Sequence, residues 1–417
     1  MIRILMIAAA LSAAFTAAAA AEAILIQNGR VITNADAGII EGGDVLITNG
    51  RIAAVGRNVA APVGAAVVDA RGKWVTPGVI AAMSQVGLSE IAGSGAPNDA
   101  NIEGDHISAA AEAAVAFNAN VSAIAVTRIE GVTHAVIAPA ARGSLFAGRG
   151  AVVKLDGAPD SVVKRDAFMV LVLGEGGGER AGGSRASSWP LLAAALRDAR
   201  EYPQRYRSGQ GGAVLNEVDA EAVAPFARGE GLILVQIDQE SDIRQLLAFA
   251  RANPRLRLAI HGGAEAWRAG PELAAAQIAV ILDPLANLPD RFERIGARLD
   301  NAALLHKAGV TVAIAASPGS DDAHQSRLVL QLAGNAAANG LPWEAAFAAV
   351  SRNPAAIFGM SQELGVLARG RAAHVVVWDG DPLDVTSTPT AVYIDGVATP
   401  LVSRQTRLRD RYAPKTR

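Results

Sequence analysis

The sequence predicts an α/β fold built on a barrel of parallel strands, and three observations carry that reading. Short, uninterrupted apolar runs alternate with amphipathic stretches across residues 232–315. This is how strands buried on both faces look when helices cover them. At 417 residues the chain exceeds one ordinary core, so a large unit with a smaller companion is expected. Its first segments instead alternate like a hairpin, which sets the chain's start apart from the barrel.

Taken in order, Ala23–Val31, Asp44–Thr48 and Arg51–Val55 read as strands, the last two joined at Asn49-Gly50, a favoured turn pair. Trp74–Ile80, Thr133–Ala138 and Phe168–Leu173 are the first barrel-strand candidates. Leu232–Ile237, Leu256–Ile260, Ile278–Leu282 and Val310–Ala315 follow, separated by helical stretches at Asp242–Ala252, Leu273–Ala276 and Asn301–Ala308. These approach the eight strands of a closed barrel, and no eighth can be assigned. His374–Trp378 and Ala391–Ile394 read as further strands, with Asp395-Gly396 as turn residues. No internal repeat of 20–50 residues is present.

Composition narrows the function classes. The chain is 51% apolar but only 4% aromatic, so its core must be made of Ala, Val, Leu and Ile. A net charge of −2 argues against a nucleic-acid surface, which needs clustered Lys and Arg in excess. With no cysteine there are no disulfides, thiolate metal ligands or acylated cysteine. Residues 1–21 carry Arg3, then an apolar run ending Ala19-Ala20-Ala21, the pattern of a secretory signal. A permanent membrane helix competes on length, and the Ala-rich end favours cleavage. The expectation is an exported protein, periplasmic or extracellular, with no membrane span after cleavage. The basic stretch 403–417 is expected to be a solvated tail.

Three sets of residues carry a family resemblance. Val75-Thr76-Pro77-Gly78 leads into Val79-Ile80, Asn353-Pro354-Ala355 follows the last barrel candidate, and Leu364-Gly365-Val366 opens a strand that returns through Val375-Val376-Val377-Trp378. In these features the chain resembles the amidohydrolase superfamily over nearly all of its mature length. Gly131-Val132-Thr133, and Gly262-Gly263 before Glu265-Ala266-Trp267, resemble the imidazolonepropionase-related branch. The resemblance implies a (β/α)8 TIM-like barrel with a small composite β-sandwich domain formed from both termini. The division is then a signal peptide over 1–21, a sandwich over 22–72 and 361–402, a barrel over 73–360 and a basic tail over 403–417. It also implies hydrolysis of amide, lactam and related C–N bonds, with one or two divalent ions acidifying a water.

The same resemblance locates the metal ligands and finds them substituted. Ala81, Met83 and Gln85 stand where the family's first strand presents Asp, His and His. Gln236 takes the place of the fifth-strand His, and Ser317 that of the eighth-strand Asp. The bridging lysine expected on the fourth strand is missing from Phe168–Leu173, Lys154 and Lys164 lying upstream. Thioethers, amides and hydroxyls are poor donors to a zinc-like ion, which takes N, S⁻ or O⁻. His261 remains at the end of Leu256–Ile260. One imidazole supplies on the order of 3 kcal/mol of the binding that four zinc ligands share.

No cofactor is therefore expected, and zinc or another divalent metal enters only if a displaced site exists. Asp238 and Glu240 follow the fifth-like strand, while Asp321, Asp322 and His324 follow the eighth. With His261 they could form such a site, and Asp238 or Glu240 could run metal-free acid–base chemistry. Two readings stay open. One is a catalytically impaired, ligand-binding relative holding a small-molecule or peptide-like ligand in the barrel mouth, as a homo-oligomer or beside an active amidohydrolase paralogue. The other is an active hydrolase using the displaced site.

Other motifs resolve to structure. Gly174–Gly183 is Gly-rich and follows a strand, the context of a phosphate cradle, but Gly183-Ser184-Arg185 has the Walker order wrong. Gly182-Gly183-Ser184-Arg185-Ala186 lacks the last glycine of a nucleophile elbow. The stretch is expected to be a mobile loop over the barrel mouth, followed by a helix from about Trp189. His134 and His306 read as structural, and His106 is uninformative.

Overall fold

The computed structural model describes residues 23–89, 98–104, 106–207, 211–317 and 325–413. The expected signal segment and the candidates Asp321, Asp322 and His324 lie outside the described residues. Among those described, no helix is long and apolar enough to cross a membrane.

A nearly closed eight-stranded sheet forms the centre of a mixed α/β fold. Its strands are β1 (Val79–Ser84), β2 (Val132–Ile137), β3 (Phe146–Lys154), β4 (Val162–Val172), β5 (Leu232–Ile237), β6 (Arg257–Gly262), β7 (Ala279–Leu282) and β8 (Val312–Ile314). They lie side by side in chain order. The strand missing from the sequence reading is β3, and it runs antiparallel to both neighbours. The all-parallel expectation is corrected there: β2, β3 and β4 form a meander, and the parallel pattern holds for β1 with β2 and from β4 to β8. Strand β3 was hidden because Gly148, Arg149 and Gly150 break its apolar run. A Cβ on Gly150 would lie 2.0 Å from the ring of Phe168, so the aromatic on β4 requires the gap.

Between β8 and β1 the ring is closed by backbone from outside the sheet. Ile314 donates its N–H to the Ala349 carbonyl at 3.0 Å, and Ile80 donates to that of Val350 at 2.8 Å. Neither edge is left with a row of bare donors. Inside, alternate residues of successive strands pack together, among them Ile80, Val136, Phe168, Val170, Leu234, Ala259, Ile281 and Ala313. Helix Arg352–Ile357 seals the N-terminal end of the barrel. Asn353 of the Asn-Pro-Ala motif donates from Nδ2 to the Val312 carbonyl at 2.7 Å, and Phe358 meets Phe168 with ring centroids 5.0 Å apart. Each buried aromatic of this kind contributes roughly 1.5–3 kcal/mol by leaving water.

Outer helices form where apolar residues recur at helical spacing. Helix Glu240–Ala252 buries Ile243, Leu246 and Leu247 on one face and places Glu240 and Asp242 in its first turn, where the helix dipole favours negative charge. The Gly-rich stretch departs from the loop expected there. It holds a short helix, Gly174–Arg180, and the following helix, Arg185–Arg200, begins earlier than expected because Ser184 caps it by accepting the Ala186 N–H at 3.2 Å.

Both ends of the chain meet in one further eight-stranded sheet. Strand Ile24–Ile32 is its hub, pairing in parallel with Ala66–Asp69 near its start and with Trp74–Pro77 near its end. The segment Trp74–Ile80 is thus two strands broken at Gly78, the first belonging to the terminal sheet and the second to the barrel. Both expected turns form, with Asn49, Gly50, Asp395 and Gly396 at positive φ. The basic C-terminal stretch is helical over Arg404–Tyr412, opened by a capping box between Ser403 and Thr406.

Candidate functional site

Barrels of this kind carry chemistry at the C-terminal ends of their strands. The residues there are Met83 on β1, Gln236 on β5, His261 on β6, and Asp283 and Ser317 just past β7 and β8. Gln236 and His261 are cross-strand neighbours. Met83 packs against the barrel interior beside a bulge in the pairing of β1 with β2. Gln85 is half-buried past the strand end, where its carbonyl accepts the Leu88 N–H at 3.0 Å.

His261 is 4% exposed. Its Nε2 lies 3.1 Å from the Ala316 carbonyl oxygen, which can only accept, so Nε2 carries the hydrogen. Among the described residues, the lone pair on Nδ1 is buried without a partner. Burial pushes the imidazole down to about 4, outweighing the Ala316 carbonyl and the carboxylates of Asp238 and Asp283. At neutral pH it is an uncharged acceptor.

Both carboxylate oxygens of Asp238 are engaged. Its Oδ1 accepts the Ala264 N–H at 3.0 Å, and its Oδ2 accepts Arg294 Nε–H at 2.8 Å. Both side chains are buried, at 6–7% exposure. Burial alone would lower the Arg294 pKa; Asp238, with Asp290 and Glu293 nearby, reverses this and holds it above the usual value. Gly262 makes the pairing possible, for it sits at φ +110 and a Cβ there would lie 2.7 Å from Asp238 Oδ1. Glu240 does not converge on the mouth. It faces the helix surface, accepting from Arg244 Nε at 2.9 Å, with Arg268 at 3.7 Å.

The Gly-Gly-x-Glu-Ala-Trp motif also has a structural account. Glu265 accepts the Gly296 N–H at 2.7 Å and the Glu240 N–H at 2.9 Å, while Trp267 Nε1 donates to the Gly296 carbonyl at 2.9 Å. Glu293, buried and raised in pKa chiefly by that burial, accepts the Glu175 N–H at 3.0 Å and fastens the Gly-rich helix to the same side.

Asp283 and Arg294 escaped the sequence reading. Asp283 Oδ2 accepts Ser317 Oγ–H at 3.0 Å and Ser317 N–H at 3.2 Å, and Oδ1 accepts Leu285 N–H at 2.9 Å. A carboxylate from β7 thus occupies the neighbourhood of the eighth-strand position. The signal for it was an Asp-Pro step directly after an apolar run, at the place where strand ends present side chains. Arg294 carries no comparable mark. Among the described residues, no three His, Asp or Glu side chains come together in a group able to hold a metal ion.

The fold and the placement of these strand ends define a barrel protein whose candidate site lies at the C-terminal mouth. Comparison with known proteins makes this specific. The model of the amidohydrolase family matches residues 336–399, the span that holds the Asn-Pro-Ala motif and the return strand. An amidohydrolase of Thermotoga maritima has a solved structure that superposes with a TM-score of 0.80 at 26% identity, covering 90% of this chain and 99% of that one. Amidohydrolase tasK of Hapsidospora irregularis is 26% identical over 400 residues, 85% of this chain, and the chain spans only 40% of that relative's length. A dihydroorotase of Geobacter sulfurreducens is 53% identical over 57 residues, 14% of this chain and 13% of that one. The chain belongs to the amidohydrolase superfamily.

Proposed function

We propose that this protein is an amidohydrolase relative that binds a small amide- or peptide-like ligand at the barrel mouth, with metal-assisted hydrolysis lost or much weakened. The observation that carries the reading is the donor set at the strand ends. Met83, Gln85 and Gln236 offer a thioether and two amides, His261 has one nitrogen engaged by Ala316, and Asp283 already accepts three hydrogen bonds. These donors do not fit an ion that acidifies water, which needs several imidazoles or free carboxylates. In this reading the terminal sheet corresponds to the family's small composite sandwich. Residues 1–21 export the protein, and a second copy or an active paralogue is its candidate partner.

A second reading is kept by His261 itself. Its buried Nδ1 has no partner among the described residues and is able to meet a substrate N–H or a metal ion in an active hydrolase. Metal analysis of protein purified without chelator, run beside an amidase panel, separates the two. The first reading expects metal well below one ion per chain and saturable binding of N-acyl amino acids without turnover. Stoichiometric zinc or manganese, lost together with amidase activity in His261→Ala, would overturn it.

A further inference from the structure

The opposite end of the barrel holds a pocket that the mouth chemistry does not use. It has a volume of about 590 Å³ and opens where β5, β6, β7 and β8 begin. That size lies within the range of small-molecule sites, roughly 300–1,000 Å³. Leu232 and Ile357 contribute to an apolar lining, and Arg251, Arg257, Gln277 and Thr311 surround it.

Three features make it more than a surface dent. No Asp or Glu lines it, so the two guanidinium groups meet no neutralising charge within the pocket. Among the described residues, none of these four polar side chains has a hydrogen bond or ion pair, although 38 Lys and Arg share the chain with 40 Asp and Glu. Lys164, close by, donates to the Phe358 carbonyl at 2.8 Å, and its pKa is lowered chiefly by burial and then by the charge of Arg257.

We propose that this pocket binds a small aliphatic carboxylate, its head held by Arg251 and Arg257 and its chain against the apolar lining. Guanidinium donors match carboxylate and phosphate alike, and it is the apolar lining that favours a head carried on an aliphatic chain over free inorganic phosphate. The site is separate from the mouth and does not rest on the function proposed for it.

Calorimetric titration of the purified full-length protein with octanoate tests this, with octanol and inorganic phosphate as companion probes. Octanoate is expected to bind saturably at one molecule per chain. Arg251→Gln and Arg257→Gln should each weaken it about tenfold, the scale of a charge-assisted hydrogen bond, with circular dichroism unchanged. Octanol and phosphate should each bind at least about tenfold more weakly than octanoate, and His261→Ala should leave octanoate binding intact. Absence of octanoate binding, equal binding by the Arg251→Gln/Arg257→Gln double variant, or phosphate binding as tight as octanoate would overturn the proposal. Loss of binding in His261→Ala alone would place octanoate in the mouth and overturn it equally.

Discussion

The two ends of the barrel use charge in opposite ways. At the mouth the two carboxylates and one imidazole nitrogen are engaged by the protein itself: Asp238 by Arg294 and Ala264, Asp283 by Ser317 and Leu285, one nitrogen of His261 by Ala316. At the floor Arg251 and Arg257 stand exposed around a pocket with no protein partner among the described residues. A buried polar group must find a partner to survive folding, whereas an exposed one is satisfied by water and remains free for a ligand. The difference separates groups that hold the fold from groups available for recognition.

The hardest blow to this contrast is aimed at Asp238. Removing it in Asp238→Ala strands the Arg294 charge in the interior, and a loss of about 3–5 kcal/mol is expected. Urea denaturation measures it, and an Asp238→Ala/Arg294→Met double variant should recover most of the loss. A stable Asp238→Ala protein would show that the pair is not a structural element and would return Asp238 to the list of acid–base candidates.

Next in size is the response to acid. His261 at the mouth and His374, where the terminal sheet meets the barrel, are both pushed from 6.5 to about 4 by burial. Below roughly pH 6.5 the unfolded chain takes up protons that the folded protein refuses until roughly pH 4. Stability should therefore fall as pH drops through that window, by about 3 kcal/mol for each group. His134 packs edge-on against His374 with ring centroids 4.4 Å apart and is lowered in the same direction by its burial. Denaturation curves at successive pH values check this, and His261→Gln should flatten part of the slope. Stability that stays constant over the window would mean the imidazoles reach solvent.

The smallest expected effect belongs to the floor. Arg257→Gln should change stability by no more than about 0.5 kcal/mol, since an exposed, unpaired side chain contributes little to folding. Thermal unfolding at fixed pH is sufficient, and a larger loss would mean that Arg257 has a structural partner.

The fold was legible where local pattern and burial agree. Leu232–Ile237 reads as a strand because all but one of its residues are apolar and it lies between two parallel partners. Trp74–Ile80 misled because Gly78 divides one apolar run between two sheets, and a Cβ at Gly78 would meet Thr133 at 2.2 Å. Strand Phe146–Lys154 was invisible because its glycines answer to neighbours outside the strand, Gly150 to Phe168 and Gly148 to Pro139 and Ala111. The strand-end positions were legible to the same degree. The family resemblance placed Gln236 and Ser317 near strand ends, and the apolar run before it placed His261, but the commitments of Asp238 and Glu240 depend on Arg294, Arg244 and Glu265, and no spacing rule reaches those.

By itself the sequence determined the periodicities, and through them most of the barrel strands, a few of the helices and which residue stands near each strand end. Only the tertiary structure decided how those residues are occupied. Arg294 reaches Asp238 across 56 positions of chain, and Arg251 shares a pocket lining with Thr311 although two strands and two α-helices separate them in the chain. Periodicity is a property of neighbours in the chain, whereas charge pairing and desolvation depend on proximity in space, which exists only once the barrel has closed.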